Sequence, residues 1–103
     1  MRQFDVFANP SERSRRIAPL VVVLQSHLLD DIATVVVAPL LRAAERPAFT
    51  QVGMAVAFNG EDYTLSLAEL SAVDARRLSR SLGSLQEIEY DIRRALDRLF
   101  TGF

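Results

Sequence analysis

The sequence contains no cysteine and a single histidine, His27. Without a thiol, a disulfide scaffold, a thiolate zinc site and a cysteine nucleophile are excluded, and the composition suits a reducing cytosol. One histidine excludes two-histidine metal motifs, so we expect no metal and no cofactor. Lysine is also absent: all twelve basic residues are arginine, and thirteen acidic residues bring the formal net charge to −1. This balance argues against nucleic-acid recognition, which draws its affinity from a concentrated basic face.

Long hydrophobic runs are missing too. The most apolar stretches, residues 17–24 and 32–41, are shorter than the roughly 18 residues that suggest a membrane span, and the N-terminus lacks the apolar stretch of a signal peptide. We therefore expect a cytoplasmic protein with no membrane contact. The length of 103 residues is typical of one domain, residues 1–103, and half of the residues are hydrophobic, as in packed proteins. A chain of this size buries a modest share of its surface, which favours a homodimer.

Alternating and β-branched residues predict several strands. The first covers residues 4–8 and ends at residues 9–10. Residues 20–24 are continuously apolar, which is typical of a strand buried on both faces or paired into a closed sheet. A third strand over residues 34–37 is closed by Pro39, because proline cannot donate to a central ladder.

The clearest local signal is a hairpin over residues 50–67, centred on Asn59-Gly60. This dipeptide is the one best able to place two successive residues at positive φ in a type I′ turn. Pairing Phe58 with Glu61 brings the larger apolar residues of both strands onto one face, in the pairs Val56–Tyr63, Met54–Leu65 and Val52–Leu67.

Near the C-terminus the hydrophobic period changes from two to 3.6. Ser84, followed three residues later by Glu87, predicts a capping box at the start of a helix of about four turns that ends at Gly102. Its apolar stripe comprises Leu85, Ile88, Ile92, Ala95, Leu96 and Leu99. Residues 68–82 are ambiguous. The predicted fold class is α+β, mostly β: an antiparallel barrel or sheet with a C-terminal α-helix.

Two patterns could suggest other chemistry. Ser26, His27 and Asp30 include the residue types of a hydrolase triad, but a polar turn explains them and we expect no catalytic residue. Residues 68–98 could be a helix-turn-helix, yet their six arginines are balanced by six acidic residues, so specific DNA binding is disfavoured.

Several short motifs, in matching order along the whole chain, resemble the CcdB family of toxins. Residues 3–7, Gln-Phe-Asp-Val-Phe, are similar to the family's first strand, and residues 25–30, Gln-Ser-His-Leu-Leu-Asp, to its Gln-Ser-x-aliphatic-aliphatic-Asp segment. Pro39-Leu40 follows in order. Residues 91–103 resemble the family's terminal helix, which ends in Phe-Trp-Gly-Ile where this chain has Phe-Thr-Gly-Phe.

The resemblance implies an SH3-like barrel and a two-fold dimer whose terminal helices lie near the dimer axis. It implies a toxin without catalysis that binds the dimerisation region of the DNA gyrase A subunit and traps the enzyme on cleaved DNA. The disordered C-terminal tail of a cognate CcdA-like antitoxin would neutralise it. The implied gyrase-binding residues are Leu28, Leu29, Asp97, Phe100, Thr101, Gly102 and Phe103. The implied dimer-interface residues are Leu99, Phe100 and Phe103.

One departure from the family concerns Thr101, which stands where the family has tryptophan. An aromatic ring can stack on a cation, whereas a hydroxyl cannot, and Phe103 in place of the terminal isoleucine compensates only in part. The expectation is that the dimer and antitoxin binding persist while gyrase poisoning is weakened or redirected.

Two alternative functions stay open on the sequence. The related barrel of the MazF family cleaves RNA, and the arginines of the early loop, Arg13, Arg15 and Arg16, could contact phosphates. The chain could also be an inactive dimer that binds an antitoxin and no longer poisons gyrase.

Overall fold

The computed structural model describes residues 1–26, 33–45 and 53–102. Within these ranges, seven strands form one curled antiparallel sheet, a half-barrel, which an α-helix follows. The elements are β1 (Asp5–Ala8), β2 (Leu20–Val23), β3 (Thr34–Arg42), β4 (Gly53–Phe58), β5 (Glu61–Ser66), β6 (Ser71–Asp74), β7 (Gly83–Ser84) and α1 (Glu89–Thr101). The strand order is β4-β5-β3-β2-β1-β7, and β6 pairs with β3. The predicted α+β, mostly β fold class is confirmed.

The hairpin of β4 and β5 has the predicted turn and register. Asn59 and Gly60 both have positive φ, 49° and 82°, as a type I′ turn requires. Phe58 pairs with Glu61, and the pairing continues from there with the predicted partners, Val56 with Tyr63, Ala55 with Thr64 and Met54 with Leu65. The expected partner of Leu67, Val52, lies outside the described residues.

Strand β3 is the central strand and changes its partner along one edge. Along its other edge, residues 37–40 pair with β2. On the changing edge, residues 34–37 pair with β6 and residues 40–42 pair with β5. Residues 38–39 fall between the two partners, and this break lets the sheet curl.

The prediction that Pro39 ends the third strand was wrong. The Leu24 N–H donates to the Val36 carbonyl at 3.0 Å, so the alternation of the antiparallel ladder leaves Pro39 and Val21 as a non-hydrogen-bonded pair. The Pro39 nitrogen therefore points to the opposite edge, into the break between β6 and β5. No ladder bond is lost there, and proline is tolerated inside the strand.

Both faces of the sheet carry a hydrophobic cluster, so of the two alternatives predicted for β2 the structure shows the first, a strand buried on both faces. The larger cluster lies between the concave face and α1, and it consists of Phe4, Val6, Leu20, Val22, Leu24, Ala38, Leu40, Val56, Phe58, Tyr63, Leu65, Leu67, Leu85, Ile92 and Ala95. The smaller cluster lies on the opposite face and consists of Phe7, Val21, Val23, Val35, Val37 and Leu78. Alternation along β1, β2 and β3 divides successive residues between the two.

Helix α1 begins five residues later than its predicted cap. Ser84 belongs to β7, where it pairs with Asp5, and its hydroxyl accepts from the Gln86 N–H at 3.0 Å. Ser84 thus lies one residue before Leu85, the N-cap of a short 3₁₀ turn, and Ile88 stands at the N-cap of α1 without a side-chain hydrogen bond. The predicted capping box was wrong because pairing with a distant strand holds Ser84 in an extended conformation. No helix in the described ranges has the length and hydropathy needed to cross a membrane.

The ambiguous segment, residues 68–82, contains no α-helix. It contains strand β6, the end of a single 3₁₀ turn at residues 67–69 and a second one at residues 75–77. The helix-turn-helix alternative is therefore wrong, since a recognition helix has no partner helix in front of it.

Candidate functional site

The last turn of α1 exposes a group of the predicted site residues. Ile92 and Ala95 are buried against the sheet, whereas Asp97, Phe100 and Thr101 lie on the solvent side of the helix. Phe100 is 68% exposed, which is unusual for a large aromatic side chain on a well-packed helix. Exposed aromatic residues of this kind are common anchors of protein interfaces.

The end of the helix has a defined backbone. Gly102 adopts the left-handed conformation, with φ 80°, and its N–H donates to the Arg98 carbonyl at 3.0 Å. This confirms Gly102 as the helix stop. The Thr101 hydroxyl donates to the Asp97 carbonyl at 2.6 Å, so it turns back onto the helix instead of projecting from it.

The structure brings together four of the seven residues that the resemblance implies for gyrase binding: Asp97, Phe100, Thr101 and Gly102. Leu28, Leu29 and Phe103 lie outside the described residues. Leu99, which the resemblance places in the dimer interface, is half-buried. Its role in a dimer stays a prediction.

The strand that leads towards Leu28 and Leu29 is fixed at its end. The Leu24 N–H donates to the Val36 carbonyl, and the Val36 N–H donates to Oε1 of Gln25 at 3.3 Å. The Leu24 carbonyl accepts from Nε2 of Gln3 at 2.9 Å. Sequence reasoning did not find this last contact, because no local pattern relates Gln3 to Leu24.

Arginines on α1 pack over aromatic rings. The Arg93 guanidinium lies 5.6 Å from the Phe4 ring centroid, and that of Arg94 lies 5.7 Å from the Tyr90 ring centroid. Arg93 also forms an ion pair with Glu89 one turn earlier, with Nε and Oε2 2.8 Å apart. Tyr90 is 63% exposed in the first turn of the helix.

A groove of about 340 Å³ lies on the face of the sheet opposite to α1. Val21 and Val37 of the smaller cluster form part of its apolar floor. On its wall, Ile17 is 52% exposed. Arg77 donates from Nη2 to the Pro10 carbonyl at 2.7 Å, which ties the turn after β6 to the loop after β1.

The loop that borders this groove, residues 9–18, is built around one buried amide. Nδ2 of Asn9 donates to the Ala18 carbonyl at 2.8 Å, and its Oδ1 accepts from the Ser11 N–H at 2.9 Å. Because both ends of the amide are satisfied inside the loop, the wall of the groove is preorganised.

Of the three loop arginines that could contact RNA, Arg15 is engaged with its own loop. Its Nε donates to the Asn9 carbonyl at 2.9 Å, although all three arginines are exposed. Of the three triad-type residues, His27 and Asp30 lie outside the described residues. In the part of the chain that the structure describes, no three His, Cys, Asp or Glu residues form a group that could hold a metal ion.

Two side chains have shifted pKa values with structural causes. Hydrogen bonds from Arg76 lower the pKa of the Asp74 carboxyl to about 2, and Oδ1 of Asp74 accepts from the Arg76 N–H at the start of a 3₁₀ turn. Burial raises the pKa of the Tyr63 hydroxyl, and its neighbour Glu61 raises it further. Neither group belongs to the exposed turn of α1.

Comparison with protein families gives one match. Residues 3–102 match the family described as CcdB protein, which is nearly the whole chain. A comparison with curated proteins finds no match.

Proposed function

The chain belongs to the CcdB family, whose members are toxins of toxin–antitoxin systems, and we propose that it binds the DNA gyrase A subunit and traps gyrase on cleaved DNA. It acts in the cytoplasm by binding, without catalysing a reaction. The observation that carries this proposal is the last turn of α1, where Phe100 is exposed beside Asp97 on a helix that buries Ile92 and Ala95 against the sheet. A rigid helix that presents an aromatic side chain loses little entropy on binding, which favours an anchor role.

Thr101 makes this surface weaker than one with tryptophan at the same position. Its hydroxyl is bonded to the Asp97 carbonyl, so it offers no ring to a cation of the partner. Interface anchors are often worth about 2 kcal/mol, which corresponds to roughly 30-fold in affinity. Phe100 is then the main aromatic anchor within the described part of the helix.

The direct test is DNA supercoiling and cleavage by purified gyrase in the presence of this protein and of its Thr101→Trp variant. Cleaved DNA that accumulates with both proteins, and at lower concentration with Thr101→Trp, is the expected result. Accumulation with the variant alone would place the functional loss at Thr101. No effect from either protein would contradict the proposal and favour the ribonuclease or the inactive dimer.

A matched pair of alanine variants tests the position of the surface. Phe100 and Tyr90 are exposed aromatics at opposite ends of the same helix. We expect Phe100→Ala to lower gyrase affinity by about 30-fold and Tyr90→Ala to leave it within about twofold. Equal losses for the two variants in a binding assay would show that the last turn is not the anchor.

The antitoxin segment is proposed to bind in the groove on the opposite face. An apolar floor and a preorganised wall suit a peptide that is disordered before it binds, because the cost of ordering then falls on one partner only. Ile17→Asp places a charge on an exposed wall residue, so we expect it to abolish antitoxin binding while gyrase binding persists. If the two partners use separate surfaces, Phe100→Ala should weaken gyrase binding and leave antitoxin binding unchanged.

The ribonuclease alternative is disfavoured by the position of Arg15. Nε of Arg15 bonds to the Asn9 carbonyl within the loop, so one donor of its guanidinium is already engaged, which weakens a phosphate-binding role for this residue. Incubation of purified protein with RNA separates the alternatives, since specific cleavage that is lost in Arg13→Ala would favour the enzyme.

A further inference from the structure

The side chain of Gln3 connects helix α1 to the end of strand β2. Its Nε2 donates to the Leu24 carbonyl at 2.9 Å, and its Oε1 accepts from Nη2 of Arg93 at 3.3 Å. These two partners lie 21 and 90 positions away along the chain. The Gln3 side-chain amide therefore donates to the end of β2 and accepts from α1.

Arg93 is held from three directions. Its Nε donates to Glu89, its Nη2 donates to Gln3, and its guanidinium lies over the ring of Phe4. Each contact is partly exposed and weak alone, but together they restrict a long side chain to one orientation. Asp97 follows one turn later, so the orientation of α1 at Arg93 also sets the position of the exposed last turn.

The backbone next to Gln3 is strained. Phe4 has φ 72°, although it is not glycine, and its ring is 2% exposed. Its N–H donates to the Val23 carbonyl, and its carbonyl accepts from the Leu85 N–H. A left-handed conformation is unfavourable for an aromatic residue and is kept only where its surroundings fix it. This conformation allows the Phe4 ring to enter the core while the preceding Gln3 side chain reaches both elements.

We propose that Gln3 is a positioning residue that fixes the partner-binding end of α1 relative to the end of β2. The exposed last turn belongs to α1, so Gln3 sets the position of that turn relative to the end of β2. The consequence for binding rests on the proposed gyrase function. The link between α1 and the end of β2 rests only on the contacts of Gln3.

Two variants separate the two ends of the amide. Gln3→Glu retains an acceptor for Arg93 but removes the donor to the Leu24 carbonyl, whereas Gln3→Ala removes both contacts. Gln86→Ala is the matched control, because Gln86 is exposed in the turn that precedes α1. Urea titration first establishes that each variant is folded at the temperature of the binding assay.

The first measurement needs no partner. Amide hydrogen exchange at Leu24 and Val36 reports local opening at the end of β2, and the amide of Val22 in the central ladder reports global opening. We expect Gln3→Glu and Gln3→Ala to speed exchange at Leu24 and Val36 by about fivefold relative to Val22, as the loss of one hydrogen bond implies. Equal acceleration at all three amides would mean that Gln3 contributes only global stability, and it would overturn the proposal.

The second measurement is the dissociation rate from the gyrase A subunit. Both Gln3 variants should dissociate about fivefold faster than the wild type and Gln86→Ala, at a temperature where all four proteins are fully folded. Wild-type dissociation rates in Gln3→Glu would refute the positioning role. If the wild type fails to bind gyrase, the proposed function fails, and the exchange measurement still decides the role of Gln3.

Discussion

Alanine at Gly83 tests the close approach of β7 to the hairpin. A Cβ built on Gly83 would lie 2.9 Å from Cε1 and Cζ of the Phe58 ring, and Gly83 has φ 155°. Phe58 is buried in the larger cluster, so a shift of its ring would disturb the packing there. Overpacking of a core costs about 1–3 kcal/mol, and the unusual φ adds about 1 kcal/mol. We therefore expect Gly83→Ala to lower the free energy of unfolding by about 3 kcal/mol.

Gly60 provides the matched control. It also has positive φ, 82°, but a Cβ there would meet nothing within 4 Å. Gly60→Ala should therefore cost only the backbone term, about 1 kcal/mol. Urea unfolding compares the two variants through their midpoints at constant slope. A midpoint for Gly83→Ala equal to that of Gly60→Ala would refute the steric argument.

A double-mutant cycle identifies the clash. Phe58→Leu removes the ring atoms nearest to Gly83, so Gly83→Ala should cost about 1–2 kcal/mol less in the Phe58→Leu background than in the wild type. Strict additivity of the two substitutions would show that Phe58 is not the residue that restricts position 83.

Three further perturbations address other parts of the molecule. Leu99→Asp places a charge beside the half-buried apolar stripe of α1, so it should lower the melting temperature and shift sedimentation towards the monomer; no change in either would contradict this. Arg76 stabilises the charged form of the Asp74 carboxyl, and this stabilisation is present above pH 3.8 and lost as the pH falls towards 2. Arg76→Ala should therefore raise the pKa of Asp74, measured by NMR titration, towards 3.8. Asn9→Ala leaves the Ala18 carbonyl without its donor and should cost about 2 kcal/mol in urea unfolding; a loss below about 0.5 kcal/mol would be inconsistent with a buried amide.

Features set by neighbouring residues were predictable from the sequence. The Asn59-Gly60 turn fixes the register of β4 and β5, because two residues at positive φ leave one way to pair the flanking strands. Gly102 ends α1 for a similarly local reason. The exposed last turn was identified through the family resemblance, which pointed to the residues but not to the inward hydrogen bond of Thr101.

Features set by distant residues were not predictable. Pro39 is tolerated because β5 and β6 share one edge of β3, which no local pattern reveals. Ser84 resembles a helix cap but pairs with Asp5 at the other end of the chain. The contacts of Gln3 join three separate elements for the same reason, and a single sequence does not show which side chains meet across a fold.

Because β1 pairs with β7, part of the sheet cannot form until most of the chain has been synthesised. The β4–β5 hairpin can form in microseconds as soon as its residues are available, whereas β1 gains its second neighbour only when the chain has reached Ser84. Residues Ile92 and Ala95, which cover the concave face, are made later still. At about 5–20 residues per second, the apolar interior therefore stays open for several seconds after β1 has been made. The exposed last turn of α1 follows Ile92 and Ala95 along the chain, so it is synthesised after the residues that close the concave face.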